Sequence, residues 1–309
     1  MTSMASLQIS GHIDYASASD RFSGFRLSSP ISVCYQVTTK CNYSCPHCLS
    51  SSGPHADHGL SSEDAHRLID VLSLSGVKRI NMTGGEPLLR KDLPQLCEHA
   101  SDRGIEVVLT SNGSFFSERI TGELKRSIQF IQISIDGPQQ LNDQIRHPGA
   151  FQRAVTSIKK YLDAGVEVRI NCTLQNLNVS QTGYVLQLAH SLGVKSVYFI
   201  VICAQGRAAS DKNLFCFEEA MEREVNAHLK ELAKTQTMDV KILDFRRYEK
   251  SCVLVGPRAE FISQGWGDED CILAGNLLED GMEKCWNAQG VFDHLLHLIK
   301  NVRHPLLYS

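Results

Sequence analysis

Between residues 32 and 245 the chain alternates short apolar runs with segments of helical period, and that rhythm admits few folds. SVCYQV (32–37), RINM (79–82), EVVLTS (106–111), FIQISI (130–135), EVRINCTL (167–174) and SVYFIVI (196–202) each have the length and side chains of a buried strand. After the first run, Ala65, Leu68, Ile69 and Leu72 recur at helical spacing, with Ser61 or Ser62 placed to cap the start and Gly76 to end the helix. Phe151, Val155, Ile158 and Leu162 repeat the pattern ahead of Gly165. Crossovers between parallel strands are right-handed, so successive units must wind the same way over one sheet. Six such units predict an α/β fold, a partial (β/α)6 TIM-like barrel.

A helix over about 217–234 and a strand at VKILDF (240–245) extend this pattern, while QGRAASDKN (205–213) is a polar break after the sixth strand. The expected organisation is an N-terminal extension over 1–31, a core over 32–245 and a small cluster-binding annex over 246–309. In the annex the βα rhythm fails, and Cys252, Cys271 and Cys285 are interspersed with Gly256, Gly265, Gly267, Gly275 and Gly281. CILAGNLLEDGMEKC reads as a hairpin turning at Asp280-Gly281, and VFDHLLHLIKNV (291–302) as a docking helix, with a membrane-surface helix as the alternative.

Composition narrows the function. The 31 Lys plus Arg against 34 Asp plus Glu include no basic block that would track a phosphate backbone, which argues against a nucleic-acid partner. No run reaches the roughly 18 apolar residues of a membrane span. The first thirty residues lack the basic and apolar regions of a secretory signal, so a cytoplasmic location is expected. Eleven cysteines, an odd number in a long chain, point to metal or redox chemistry rather than a disulfide framework.

The cysteines that carry chemistry are Cys41, Cys45 and Cys48 in CNYSCPHC, directly after the first strand, where parallel barrels build their sites. Three thiolates on one loop can hold three irons of a 4Fe-4S cluster and leave the fourth to a non-protein ligand. The amino and carboxylate groups of S-adenosylmethionine (SAM) suit that iron. A zinc site would need a fourth ligand, and Cys34 lies within the strand while His47 lies within the motif. Three unrelated core cysteines are the other alternative.

CNYSCPHC followed by TGGEPLL resembles the radical SAM superfamily, and the likeness covers about residues 32–245. The resemblance implies a 5′-deoxyadenosyl radical made by reductive cleavage of SAM, hydrogen abstraction from a substrate C–H bond, and a reducing partner such as flavodoxin or ferredoxin. It implies that His47, in place of the family's usual aromatic residue, lies against the adenine. It implies that Gly84, Gly85, Glu86 and Pro87 bind the methionine amino group, the glycines admitting close backbone approach. Ser111 and Asn112 follow the third strand, and Ser134 and Asp136 end the fourth. By the same resemblance Ser134 meets the SAM ribose or carboxylate and Arg146 the carboxylate. Asn171 is a ribose contact or a buried amide with a backbone partner.

The C-terminal segment is similar to the twitch and SPASM auxiliary-cluster domains. Because no cysteine follows Cys285, the shorter twitch type fits better. A second Fe-S cluster is expected at Cys271, Cys285 and Cys252, with Cys216 and Cys203 as further candidates; alternatively Cys252 donates a hydrogen atom to a substrate radical, or the annex is purely structural or zinc-bound. Cys97 and Cys172 read as inert core residues. The expected outcome is epimerisation or dehydrogenation of a small metabolite such as an antibiotic sugar. The alternatives are maturation of a peptide or cofactor precursor, to which SIDGPQQLNDQIR and GRA (206–208) lean, and a non-catalytic electron-transfer or sensing protein.

Overall fold

The computed structural model describes residues 28–217, 225, 227, 231, 238–243, 253–264, 267–288 and 291 of the 309-residue chain. Strands form at all six places the alternation marks: β1 (Ser32–Thr38), β2 (Arg79–Gly84), β3 (Glu106–Ser111), β4 (Ile128–Ser134), β5 (Val168–Leu174) and β6 (Ser196–Val201). A seventh, β7 (Asp239–Leu243), follows. The connections carry helices α1 (Ser62–Leu74), α2 (Leu93–Asp102), α3 (Glu118–Leu124), α4 (Gln139–Ile145), α5 (Ala150–Asp163) and α6 (Thr182–Leu192). The Ser61 hydroxyl accepts from the Asp64 amide and caps α1, and Gly76, at φ +94°, lets the chain leave it.

β1 to β7 lie in sequence order and all pair in parallel. Among the described residues the sheet does not close on itself, and the architecture is an α/β partial barrel. One face is apolar. Val33, Tyr35, Val37, Ile80, Met82, Val107, Leu109, Ile131, Ile133, Ile170, Val197 and Phe199 are buried there in one core with Leu68, Ile69, Leu72 and Leu96 of the helices. Cys97 on α2 and Cys172 on β5 belong to this core, and burial pushes the Cys97 thiol up to about 12, as unreactive core residues require.

Beyond β1 the sheet continues. β8 (Val253–Val255) pairs in parallel with β1, and β9 (Glu260–Ser263) and β10 (Ile272–Asn276) add to it antiparallel. A short helix α7 (Lys212–Phe215) follows β6, and α8 (Gly281–Trp286) follows β10. The hairpin expected over 271–285 is therefore corrected: its second half is α8. The Asn276 amide donates to Asp280 Oδ2 and the Leu278 amide to Asn276 Oδ1, closing a turn, and Met282, Cys285 and Trp286 then bury one face at helical spacing. Cys252, most of the helix expected over 217–234, and the docking helix apart from Val291 lie outside the described residues. Among the described residues no helix is long and apolar enough to cross a membrane.

Candidate active site

The loop leaving β1 carries Cys41, buried, and Cys45 and Cys48, half-buried, at the C-terminal end of the strand. The Tyr43 amide and Asn112 Nδ2 donate to Cys41 Sγ at 3.4 and 3.7 Å. Cys48 Sγ lies 3.5 Å from the Ser50 hydroxyl, and the Cys45 thiol faces the Arg146 carbonyl at 3.7 Å. Burial pushes the Cys41 thiol up to about 11 and also raises Cys45, against which the Arg146 charge works. Such thiols resist ionisation on their own, and a bound cation supplies the charge that deprotonates them. Among the described residues no three His, Cys, Asp or Glu side chains converge tightly enough for a single metal ion. The ligands of a 4Fe-4S cube bind different irons, and three thiols on one loop suit a cluster whose fourth iron takes a non-protein ligand, whereas a structural zinc would require a fourth protein ligand.

Gly84 and Gly85 also pack against the cysteine loop. A Cβ on Gly84, at φ +126°, would stand 2.1 Å from the Thr38 carbonyl oxygen, and one on Gly85 2.2 Å from that of Lys40. The Gly85 amide donates to Thr38 O at 2.7 Å and the Glu86 amide to Lys40 O at 2.9 Å. The glycines bring the end of β2 against the start of the cysteine loop and fix the two together.

Glu86 follows, wholly buried, its side chain capping a turn that begins at Pro87. Its Oε1 accepts from the Ser111 hydroxyl at 2.9 Å and the Leu88 amide at 3.2 Å, and its Oε2 from the Asn112 amide at 2.8 Å. Burial outweighs these donors and lifts the carboxyl to about 7. Ser111 thus supports Glu86, and Asn112 spans Glu86 and the cysteine loop, its Nδ2 also reaching Asn42 Oδ1 at 2.9 Å.

Asp136, just past β4, is the second organising carboxylate. It is wholly buried; Oδ1 accepts from the Thr173 amide at 2.8 Å, and Oδ2 lies 2.7 Å from Arg146 Nε and 3.8 Å from His47 Nε2. The Arg146 approach makes an ion pair by distance but lies off the N–H direction, so neither atom gains a hydrogen bond from it. Burial opposes the Arg146 charge, yet the Asp136 carboxylate prevails and holds the guanidinium above its usual range. His47 is buried beside this pair, and burial lowers it to about 4 against the pull of Asp136, leaving a neutral ring. Asn142 Oδ1 accepts from the Asp136 amide, and Asn178 Nδ2 donates to the Asp136 carbonyl, both at 2.9 Å.

Below these residues the sheet face away from the helices carries a polar ladder. Thr110 Oγ1 donates to Asn81 Oδ1 or Gln132 Oε1 at 2.9 and 3.1 Å, and Asn171 Nδ2 donates to Gln132 Oε1 at 2.8 Å. Ser134 stands in register with Asn171 at the top of this face, and Asn171 Oδ1 is buried without a partner. The partner of the Asn171 amide is thus a side chain rather than backbone. Asn81, Thr110 and Gln132 went unmarked in the sequence, as did the role of Asp136. Alternate polar positions inside otherwise apolar runs were the available signal.

The C-terminal cysteines have unlike surroundings. Cys271, ahead of β10, accepts from Gln205 Nε2 at 3.2 Å. Cys285 is wholly buried with Phe261, Leu277, Met282 and Trp286, and its Sγ stands 2.9 Å from where a Cβ on Gly275 would be, near the other end of β10. Cys203 and Cys216 flank the region after β6 in the neighbourhood of Ile202, Ala208 and Phe215.

Residues 35–189 match the sequence profile of the radical SAM superfamily. The chain belongs to that superfamily. Its cofactors are accordingly a 4Fe-4S cluster and SAM, and residues 41–48 and 84–87 lie within the matched region. Among curated radical SAM proteins, the chain is 32% identical over 298 residues to the mycofactocin maturase MftC of Mycolicibacterium smegmatis, covering 90% of this chain and 74% of that one. It is 27% identical over 298 residues to the AdoMet-dependent heme synthase of Methanosarcina barkeri, covering 87% and 85%. Against the heme synthase of Oleidesulfovibrio alaskensis it is 33% identical over 181 residues and spans about half that relative's length, 47%. Among solved structures, Streptococcus suis SuiB bound to S-adenosylmethionine superposes with a TM-score of 0.70 at 13% identity, over 91% of this chain and 71% of that one. anSMEcpe with bound AdoMet and a Cp18Cys peptide superposes at 0.66 and 14%, over 86% and 82%. Both carry the same fold.

Proposed function

We propose that this radical SAM enzyme is a maturase that abstracts a hydrogen atom from a C–H bond of a peptide or cofactor-precursor substrate. The likeness to a mycofactocin maturase over 90% of the chain carries this reading. When bound, the reduced cluster and SAM supply the 5′-deoxyadenosyl radical. The chain's own residues do the rest. Cys41, Cys45 and Cys48 hold the cluster, with the loop braced by Gly84 and Gly85. Glu86 offers a carboxylate to the methionine amino group, and Arg146, oriented by Asp136, together with Ser134 and Asn171, lines the strand ends where SAM lies. His47 presents a neutral ring to the adenine. Cys271, with Cys252, anchors a second Fe-S cluster that receives or relays an electron, Cys285 joining it only by turning out of its apolar packing near the far end of β10, and flavodoxin or ferredoxin supplies the first one.

Epimerisation of an antibiotic sugar, with Cys252 as the hydrogen donor, is the second reading; dehydrogenation would instead need the second cluster to take an electron from the substrate radical, and the named relatives support neither. Anaerobic reconstitution with SAM and a reductant, followed by incubation with candidate precursor peptides and with aminocyclitols in D2O, separates the two. Peptide-dependent formation of 5′-deoxyadenosine supports maturation. Deuterium incorporated at one carbon of a sugar, with peptides inert, replaces it by epimerisation.

A further inference from the structure

The segment after β6 makes contacts that no part of the SAM-binding account uses. Gln205, Gly206 and Arg207 run between the cysteine loop and the segment around Cys271. Arg207 donates from its backbone amide to Cys48 O at 3.0 Å and from Nε to Cys45 O at 2.7 Å. Gly206, at φ +56°, is tight enough against the loop that a Cβ there would stand 2.2 Å from Leu49 O, and its amide donates to Asp268 Oδ1 at 3.1 Å. Gln205 Nε2 meets Cys271 Sγ.

The Arg207 side chain is unusual in what it lacks. Its Nη2 is buried without a hydrogen-bond partner, and no carboxylate among the described residues lies within ion-pair distance of it. The Asp136 carboxylate, which acts on Cys45, is already paired with Arg146. Arg207 as a whole is half-buried, but a guanidinium nitrogen taken out of water without a partner is costly unless an anion faces it. The neighbour that becomes anionic is the cysteine loop itself: a cube held by three thiolates carries net negative charge, which grows by one unit on reduction.

We infer that Arg207 is a positioning residue for the SAM cluster: its Nε and backbone amide clamp the loop carbonyls of Cys45 and Cys48, and its charge stabilises the reduced cluster. This rests on the cluster and not on any substrate. A positive charge beside the cluster favours the more negative, reduced form and so raises the midpoint potential. The test is an EPR-monitored redox titration of reconstituted wild type, Arg207→Gln and Arg207→Lys, with iron counted in each. Arg207→Gln should lower the reduced-to-oxidised ratio at fixed potential about tenfold, a fall in midpoint of about 59 mV for one electron, while Arg207→Lys stays close to wild type. Loss of the cluster in Arg207→Gln alone supports the same assignment. A wild-type midpoint in Arg207→Gln, equal shifts in both variants, or loss of the cluster in both would overturn it in favour of plain packing. Wild type without iron would instead remove the cluster reading itself.

Discussion

Glu86 carries the clearest pH signature at the scale of single residues. Burial raises its carboxyl from 4.5 to about 7, so the folded protein holds this proton more tightly than the unfolded chain does. The resulting stabilisation is complete below about 4.5 and disappears as pH rises through about 7. Thermal unfolding of SAM-free protein should show a loss of stability across that window that Glu86→Gln flattens; parallel profiles would show that Glu86 does not titrate there. Gly85→Ala forces a Cβ toward the Lys40 carbonyl, and overpacking of this kind costs about 1–3 kcal/mol. Its expected result is a lower denaturant midpoint together with less iron retained per chain, and unchanged iron would separate this turn from the cluster. The three motif cysteines and Glu86 were legible because the spacing of reactive residue types marks them directly. Asp136 and Arg207 were not: each acts through partners distant in sequence, Thr173 and Arg146 for one and Cys45 for the other, and only the folded sheet brings these together.

Among the secondary-structure elements, legibility followed burial pattern. β1 to β6 announce themselves because their helix-facing positions are large and apolar, and α1 is delimited by Ser61 and Gly76, which act through local chemistry. α8 was misread because six residues hold less than two helical turns, and the Asp280-Gly281 pair is equally suited to a hairpin turn. The parallel pairing of β8 with β1 had no signal at all, since it joins Leu254 to Cys34 across most of the chain. Once formed, the added strands depend on α8. Trp286 is buried and stands edge-to-face with Phe261 of β9, at a centroid separation of 6.3 Å. Trp286→Ala should therefore cost about 3–5 kcal/mol, read as a shift in the denaturant midpoint. A change below about 1 kcal/mol would mean that α8 is not part of the cooperative fold.

At the scale of the whole molecule, the ten strands formed by the described residues hold the two sets of cysteines in one continuous sheet: the first set leaves β1, and the second lies around β10, three strands away across β8 and β9. The proposed second cluster makes a prediction at this scale. A Cys41→Ala, Cys45→Ala, Cys48→Ala variant should keep part of the reconstituted iron while losing all SAM cleavage, and Cys271→Ala added to it should remove iron further. No iron in the first variant would leave only one cluster. The central claim, that the β1 loop with its bound cluster generates a radical from SAM, is tested most directly by chromatography of the nucleoside product. Reconstituted wild-type protein, reduced anaerobically with SAM present, should accumulate 5′-deoxyadenosine, and the triple variant none. Iron-loaded wild-type protein that leaves SAM intact under reduction would contradict the account.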